Sequence, residues 1–292
     1  MPTSFQNSKE LKFVIILGTG SFGSSSNNTI TLEGFRAEVQ IDKAGGMLMG
    51  TLRAKIYGVK QSSMNSITTL QWKPKSFIPN TVQVFAIDGT QQTLIFSGNI
   101  INAWGDYQSM PDVFLMIQAQ AAYFSQIAST APTSYQGQID VATAMQQLAN
   151  TMGLTFENNG VTAQLKNQYL PNTALEQAKT LANAAGIWLY IDNGILAITP
   201  AYQPRSKPIP IISAQTGMKG YPTFDGVGVN FETLFNPQIT FGGSIQVVTD
   251  IPNANGTWIV TSISYNLASE KPDGPWWARI RGNQTGLAVV TA

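Results

Sequence analysis

The spacing of apolar residues changes period twice along the chain, and those changes divide it. Up to about residue 120 apolar and polar positions alternate, as they do in half-buried strands. Leu11 to Leu17 is an apolar, β-branched run, while Ile30-Thr31-Leu32, Phe35 to Ile41 and Met47 to Tyr57 alternate, with Gly45-Gly46 as a turn between the last two. Beyond the proline-bearing segment Trp72 to Pro79, the pattern predicts strands at Thr81 to Ile87 and Thr93 to Ile101. Asp88-Gly89-Thr90 joins them as a hairpin turn in which glycine supplies a positive φ, and Val113 to Gln120 predicts one more strand. Short strands punctuated by glycine turns point to a barrel or a small sandwich.

The period then becomes helical. Val141, Met145, Leu148 and Met152 share a face, Asp140 stands as N-cap and Gly153 lies just past the end. A second helix opens at Thr173, where Glu176 three residues on predicts a capping box. Its apolar face is Leu175, Ala178, Leu181 and Ala185, and Gly186 stops it. Ile187 to Ile191 and Ile195 to Thr199 flank Asp192-Asn193-Gly194, a type I′ hairpin signal. Pro200, Pro204, Pro208 and Pro210 then mark a linker. Strand patterns return at Gly226 to Leu234, Gln238-Ile239-Thr240, Ser244 to Thr249, Thr257 to Leu267 and Trp276 to Ile280. The expected class is β-rich α+β, with a β domain over 1–130, a small α+β insert over 131–203 and a second β domain over 204–292.

Composition narrows the chemistry. Charged residues are 11% of the chain, against the ~25% of an ordinary soluble domain, and uncharged amides and hydroxyls take their place. Such a surface repels itself weakly, which favours association. A net charge of +1 gives no general attraction to nucleic acid or anionic membrane. With no cysteine and no histidine, Ser-His-Asp and Cys-His nucleophile systems and histidine-based zinc sites are excluded. The polar Met1 to Glu10 and the short apolar run Phe13 to Leu17 form neither a signal peptide nor a membrane span, so synthesis in the cytoplasm is expected.

Three motifs carry possible chemistry. Gly18-Thr19-Gly20-Ser21-Phe22-Gly23 is a G-x-G-x-x-G run after an apolar strand, but Ser24 to Ile30 lacks the helix whose amides would face a pyrophosphate. It reads as a loop between strands. Asp106, Asp112, Glu157, Asp192 and Asp225 are candidate acids without a spacing signature. Asp140 and Glu176 are explained as helix caps, and Asp192 as a turn residue. Of the tryptophans, Trp72, Trp104, Trp188, Trp258, Trp276 and Trp277, most suit packing; adjacent Trp276 and Trp277 must point to opposite faces of a strand, one buried and one open to a neighbour. Lys73-Pro74-Lys75, the densest basic point, reads as a solvated turn.

The C-terminal region also carries a resemblance. Leu234-Phe235-Asn236-Pro237-Gln238-Ile239, Gly242-Gly243, Asn255-Gly256-Thr257-Trp258-Ile259-Val260 and Ile263-Ser264-Tyr265-Asn266-Leu267 occur in an order that resembles bacteriophage tail baseplate hub proteins of the T-even and Mu-like type. Gly274-Pro275-Trp276-Trp277 is similar to the family's last strand. Earlier pieces fit too: Ala54-Lys55-Ile56-Tyr57-Gly58-Val59 with Met64-Asn65, Phe96 to Trp104, and the capped helix with its Asn193-Gly194 hairpin. The similarity runs from about Gly34 to Gly282, leaving out Gly23 to Thr29 and Asn283 to Ala292. Where related hubs often carry a histidine this chain has Tyr265, which argues against a necessary chemical role there.

The resemblance implies two tube-protein-like β-barrel domains flanking the α+β insert, and a homotrimeric ring in the virion's tail baseplate. Its partners would be the tail tube protein, the tail spike and other baseplate proteins, with no nucleic acid bound and no transmembrane segment. It implies no enzyme, and no catalytic, cofactor-binding or metal-binding residue. The alternatives from other classes are a tail-tip glycan-binding adhesin, using exposed tryptophans, and a carboxylate-based cell-wall hydrolase.

Overall fold

The structure, a computed structural model, describes residues 9–23, 27–44, 48–68, 78–226 and 228–284. The chain packs into two compact units. Among the described residues, those up to Asp42, Gly50 to Phe124 and Tyr265 to Trp277 form the first, and the remainder form the second.

The first unit is built on β1 (Lys9–Ile16), β2 (Thr29–Leu32), β3 (Ala37–Lys43), β4 (Thr51–Tyr57), α1 (Gln61–Ile67), β5 (Thr81–Asp88), β6 (Gln91–Asp106) and β7 (Phe114–Gln120). Its strands lie in the order β3-β4-β7-β6-β5-β1-β2, and each of these pairs is antiparallel. Alternation produces the core: Leu11, Phe13 and Ile15 meet Val82 and Val84 on one side, with Leu52, Ile56, Leu115 and Ile117 further along. Each such side chain contributes about 1.5–3 kcal/mol by leaving water. The Asp88-Gly89 turn forms as its sequence requires, with Gly89 at φ 63°.

β6 is longer than its pattern suggested because it serves two neighbours, β5 along its first half and β7 along its second. A register shift between Ile100 and Asn102 leaves Ile101 as the extra residue of a bulge and turns it outward. Helix α1 is not among the elements that the sequence pattern predicts. Its apolar stripe is only Met64 and Ile67, three apart, and both are buried. No closed barrel is detected among the described residues; β2 is four residues long and pairs with β1 alone.

A short helix, α2 (Tyr123–Ile127), leads into the second unit. Two-residue and three-residue strands, β8 (Thr133–Ser134) and β9 (Gln138–Asp140), precede α3 (Val141–Thr151), β10 (Thr155–Asn158), β11 (Gln164–Lys166), β12 (Tyr169–Leu170) and α4 (Ala174–Ala185). Then come the hairpin β13 (Ile187–Asp192) and β14 (Ile195–Pro200), the short β15 (Ile211–Ile212), β16 (Met218–Asp225), β17 (Gly228–Leu234), β18 (Ser244–Val247), β19 (Gly256–Ser269) and β20 (Trp276–Gln284). Strand β14 sits between β13 and β10, antiparallel to the first and parallel to the second. The later strands run in the order β16-β17-β20-β19, with β18 on β19 and β15 on β18. From Tyr265 onward β19 belongs to the first unit, and β3 is its neighbour in the strand order.

Local signals hold well here. Asp140 accepts the Thr143 amide at 2.8 Å, Gly186 closes α4 at φ 62°, and Asn193 and Gly194 take the positive φ of a type I′ turn. Three expectations change. Thr173 accepts the Glu176 amide at 3.5 Å, but the Glu176 carboxylate turns to Lys179 Nζ at 2.9 Å rather than completing a capping box. Gln238-Ile239-Thr240 is no strand, because the Asn236 side chain accepts the Gln238 amide and bends the chain into an Asx turn. The segment after Pro200, expected as a linker, is hydrogen-bonded through the Gln203, Arg205 and Ser206 amides. The turn at Gly45-Gly46, the segment from Trp72 through Ser76 and Phe77, and the end beyond Gln284 lie outside the described residues.

Candidate functional site

The glycine run is a hairpin element. Strands β1 and β2 are antiparallel partners, the Leu17 amide donates to Asn28 O, and the Phe22 amide to Asn27 O. Gly18 donates its amide to Asn80 Oδ1 at 3.1 Å and lies so near the Ile78 carbonyl that a Cβ would collide with it. Its glycine therefore serves close backbone approach, and the next regular element among the described residues is β2, a strand. Among the described residues, the helix N-terminus that a dinucleotide requires does not follow.

Most candidate acids already hold a partner. Asp106 accepts the Gln108 amide, Asp112 lies 3.6 Å from Arg36 Nη1, and Asp225 pairs with Arg281 at 2.9 Å while accepting the Gly228 amide. Trp258 donates to Ala254 O from half-buried ground, Trp104 and Trp188 are half-buried in β6 and β13, and Trp72 is outside the described residues. Trp276 is buried and Trp277 half-exposed, as their opposite facing demands. Tyr265 is 5% exposed within β19, where its ring packs in the interior.

Only Glu157 and Asp192 are brought together. They meet around Arg205, whose side chain is 2% exposed. Its Nε and Nη2 donate to Glu157 Oε1 and Oε2 at 2.8 and 3.0 Å, a bidentate fork, and its Nη1 donates to Phe241 O at 3.0 Å and lies 3.7 Å from Asp192 Oδ2. Lys207 Nζ donates to Glu157 Oε2 at 2.8 Å, and Asn159 to Oε1 at 3.0 Å. Buried Lys43 donates to Asp192 Oδ1 and, at 3.3 Å, to Asn193 Oδ1.

The result is a closed network of three cations and two carboxylates. The hydrogen bonds from Arg205 outweigh burial and, with Lys207 and Asn159, hold the Glu157 carboxyl down at about 2. A carboxyl that stays ionised to such acidity is a poor proton donor for glycoside cleavage. Beside it, burial pushes the Tyr190 hydroxyl upward, and the Tyr190 and Phe241 rings pack edge to face at 5.2 Å. Sequence reasoning accounted for Asp192 as a turn residue and passed over Lys43, Arg205 and Lys207. The one available cue was scarcity: where charge is 11% of a chain, an Arg among prolines invites a search for its partner.

A half-open cavity of about 710 Å³ adjoins this region, walled by Ile187, Trp188 and Tyr190 of β13, Asn183 of α4, Thr261 of β19 and Arg281 of β20. No acid lines it among the described residues. Nor, among them, are three or more Asp or Glu residues grouped to hold a metal ion, and no helix is long and apolar enough to cross a membrane.

Solved structures share this β-rich fold. A tail protein from Neisseria meningitidis MC58 superposes with a TM-score of 0.63 at 10% identity, over 93% of this chain and 96% of its own. The 43 kDa tail protein of prophage MuSo2 from Shewanella oneidensis gives 0.60 at 11% identity, over 96% and 97%. The E. coli c3393 protein gives 0.59 at 10% identity, over 86% and 74%; it is described as a type VI secretion component similar in structure to the T4 tail proteins gp27 and gp5. No curated protein matches the chain by sequence. The fold is that of phage tail proteins. Residues 22–281 match the model of the baseplate hub gp41 family, and the chain belongs to that family.

Proposed function

We propose that the chain is a structural hub of a phage tail baseplate, a homotrimeric ring that joins the sixfold tail tube to the threefold central spike. Its two β regions act as tube-like barrel modules, so three chains offer six similar faces to the tube. The segments 1–130, 131–203 and 204–292 are its functional divisions, with the middle one bracing the ring. Other baseplate proteins contact its outside. The hub is made in the host cytoplasm and carried into the virion, and it works by shape and adhesion without catalysis.

One observation carries this reading: the hub family match runs through both β regions and the helical segment between them. The tail proteins that cover almost the whole chain support it, as does the commitment of Glu157 and Asp192 to cations. Light scattering and electron microscopy test it, on the protein alone and mixed with its tail tube protein. The expected result is a species of three times the 31.5 kDa chain mass, seen as threefold rings capping tubes. A monomer at every concentration, with and without tube, would overturn it. So would clearing of a cell-wall suspension that Glu157→Gln abolishes.

A further inference from the structure

The segment between β14 and β15 has the composition of a free linker but is anchored along its length. The Gln203 amide donates to Pro200 O at 3.1 Å, the Tyr202 ring lies 4.9 Å from that of Trp188, and the Arg205 amide donates to Gly242 O at 2.8 Å. The Ser206 amide donates to Asn159 Oδ1 at 2.8 Å, and Pro210 O accepts the Gln246 amide at 3.0 Å. These are isolated bonds, not a ladder. Proline has no amide hydrogen, so Pro204, Pro208 and Pro210 cannot add to them. What remains is Arg205. Its seat is shaped for it: Gly242 stands at φ 78°, and a Cβ there would come within 3.0 Å of both Arg205 Cδ and Tyr190 Cε1.

We propose that residues 201–210 form a clasp, closed by the seating of Arg205 on Glu157 and opening as one piece when that seat is lost. Closed, it ties β10 and the β13–β14 hairpin to the Phe241-Gly242 turn within the second unit. Open, it withdraws Tyr202 from Trp188 and uncovers that ring on the wall of the cavity. The asymmetry of anchors explains why opening is a single event. Backbone bonds in this segment are too few to hold it once the buried guanidinium leaves, and a segment with few internal bonds opens locally without the rest of the fold. Lys207 is a lesser anchor, since its side chain is 31% exposed and water replaces much of its contact with Glu157.

Hydrogen–deuterium exchange of the full chain tests the clasp, reading a peptide over 201–210 against one over 81–106. Arg205→Met and Glu157→Gln are expected to speed exchange in the clasp by roughly tenfold or more, leaving the other peptide protected. Chymotrypsin should then cut after Tyr202. Lys207→Met should change the clasp by less than about threefold. Unchanged exchange over 201–210 in Arg205→Met and Glu157→Gln would overturn the proposal, as would equal acceleration of both peptides. Should Arg205→Met fail to fold, Glu157→Gln, which preserves side-chain size, decides by the same criterion.

Discussion

Glu157 accepts four hydrogen bonds on its two oxygens, two from Arg205 and one each from Lys207 and Asn159, and feels the Coulomb attraction of the guanidinium besides. Its carboxyl is held at about 2, below its ordinary 4.5, so the folded state binds this proton less readily than the unfolded chain does. The stability it contributes is therefore complete above about pH 4.5 and is lost as pH falls through about 2. Glu157→Gln should cost about 2–3 kcal/mol at pH 7, and the gap to the parent protein should close near pH 2. Urea unfolding of both proteins across that range checks the sign and the window; a gap that widens in acid would contradict it. A second residue test concerns space. Gly228 faces the Gly282 carbonyl so closely that a methyl group has no room, whereas Gly226 has nothing within 4 Å. Gly228→Ala should lower stability by about 1–3 kcal/mol or more, with Gly226→Ala near neutral in the same urea titration.

At the scale of elements, what was legible depended on whether the signal was local. Helix α3 shows the favourable case: Asp140 accepts both the Thr143 amide and its hydroxyl at 2.8 Å, and Gly153 follows at φ 69°. Asp140→Ala should therefore cost about 1 kcal/mol, seen as a lower thermal midpoint, while Asp140→Asn, still an acceptor, should sit close to the parent. The β13–β14 hairpin was equally readable, because Asn193-Gly194 dictates its turn without reference to the rest of the chain. Strand β16 was not. Gly220 and Pro222 interrupt it, a register shift falls between Lys219 and Thr223, and only Met218 and Pro222 are buried, so no alternation survives for a reader to find. Helix α1 escaped for want of more than one turn of apolar spacing. The charged network escaped for a different reason. Lys43, Glu157, Asp192 and Arg205 are drawn from four separate stretches, and nothing in the sequence near any of them specifies the others.

Across the whole molecule, the scarcity of charge bears on how the proposed assembly would be held. Seventeen basic and sixteen acidic residues leave a net charge of +1, and many charges are paired within the chain, as in Arg279–Glu232 and Lys271–Glu38. Little long-range field is left to draw a partner in or to hold one away. Apolar residues, by contrast, stand exposed on the second unit's strands: Ile211 on β15, Tyr221 and Phe224 on β16, and Val248 just past β18. Contacts built from such residues and from uncharged amides are not weakened by screening. Raising sodium chloride from about 0.05 to about 1 M shortens the Debye length to ~3 Å, enough to dissolve an association held by surface ion pairs. Assemblies of this protein should keep their sedimentation profile across that range, and sulfate, which strengthens apolar burial, should shift the profile toward larger species. If sodium chloride disperses them instead, the contacts are ionic, and the exposed apolar residues of β15 and β16 do not carry the association.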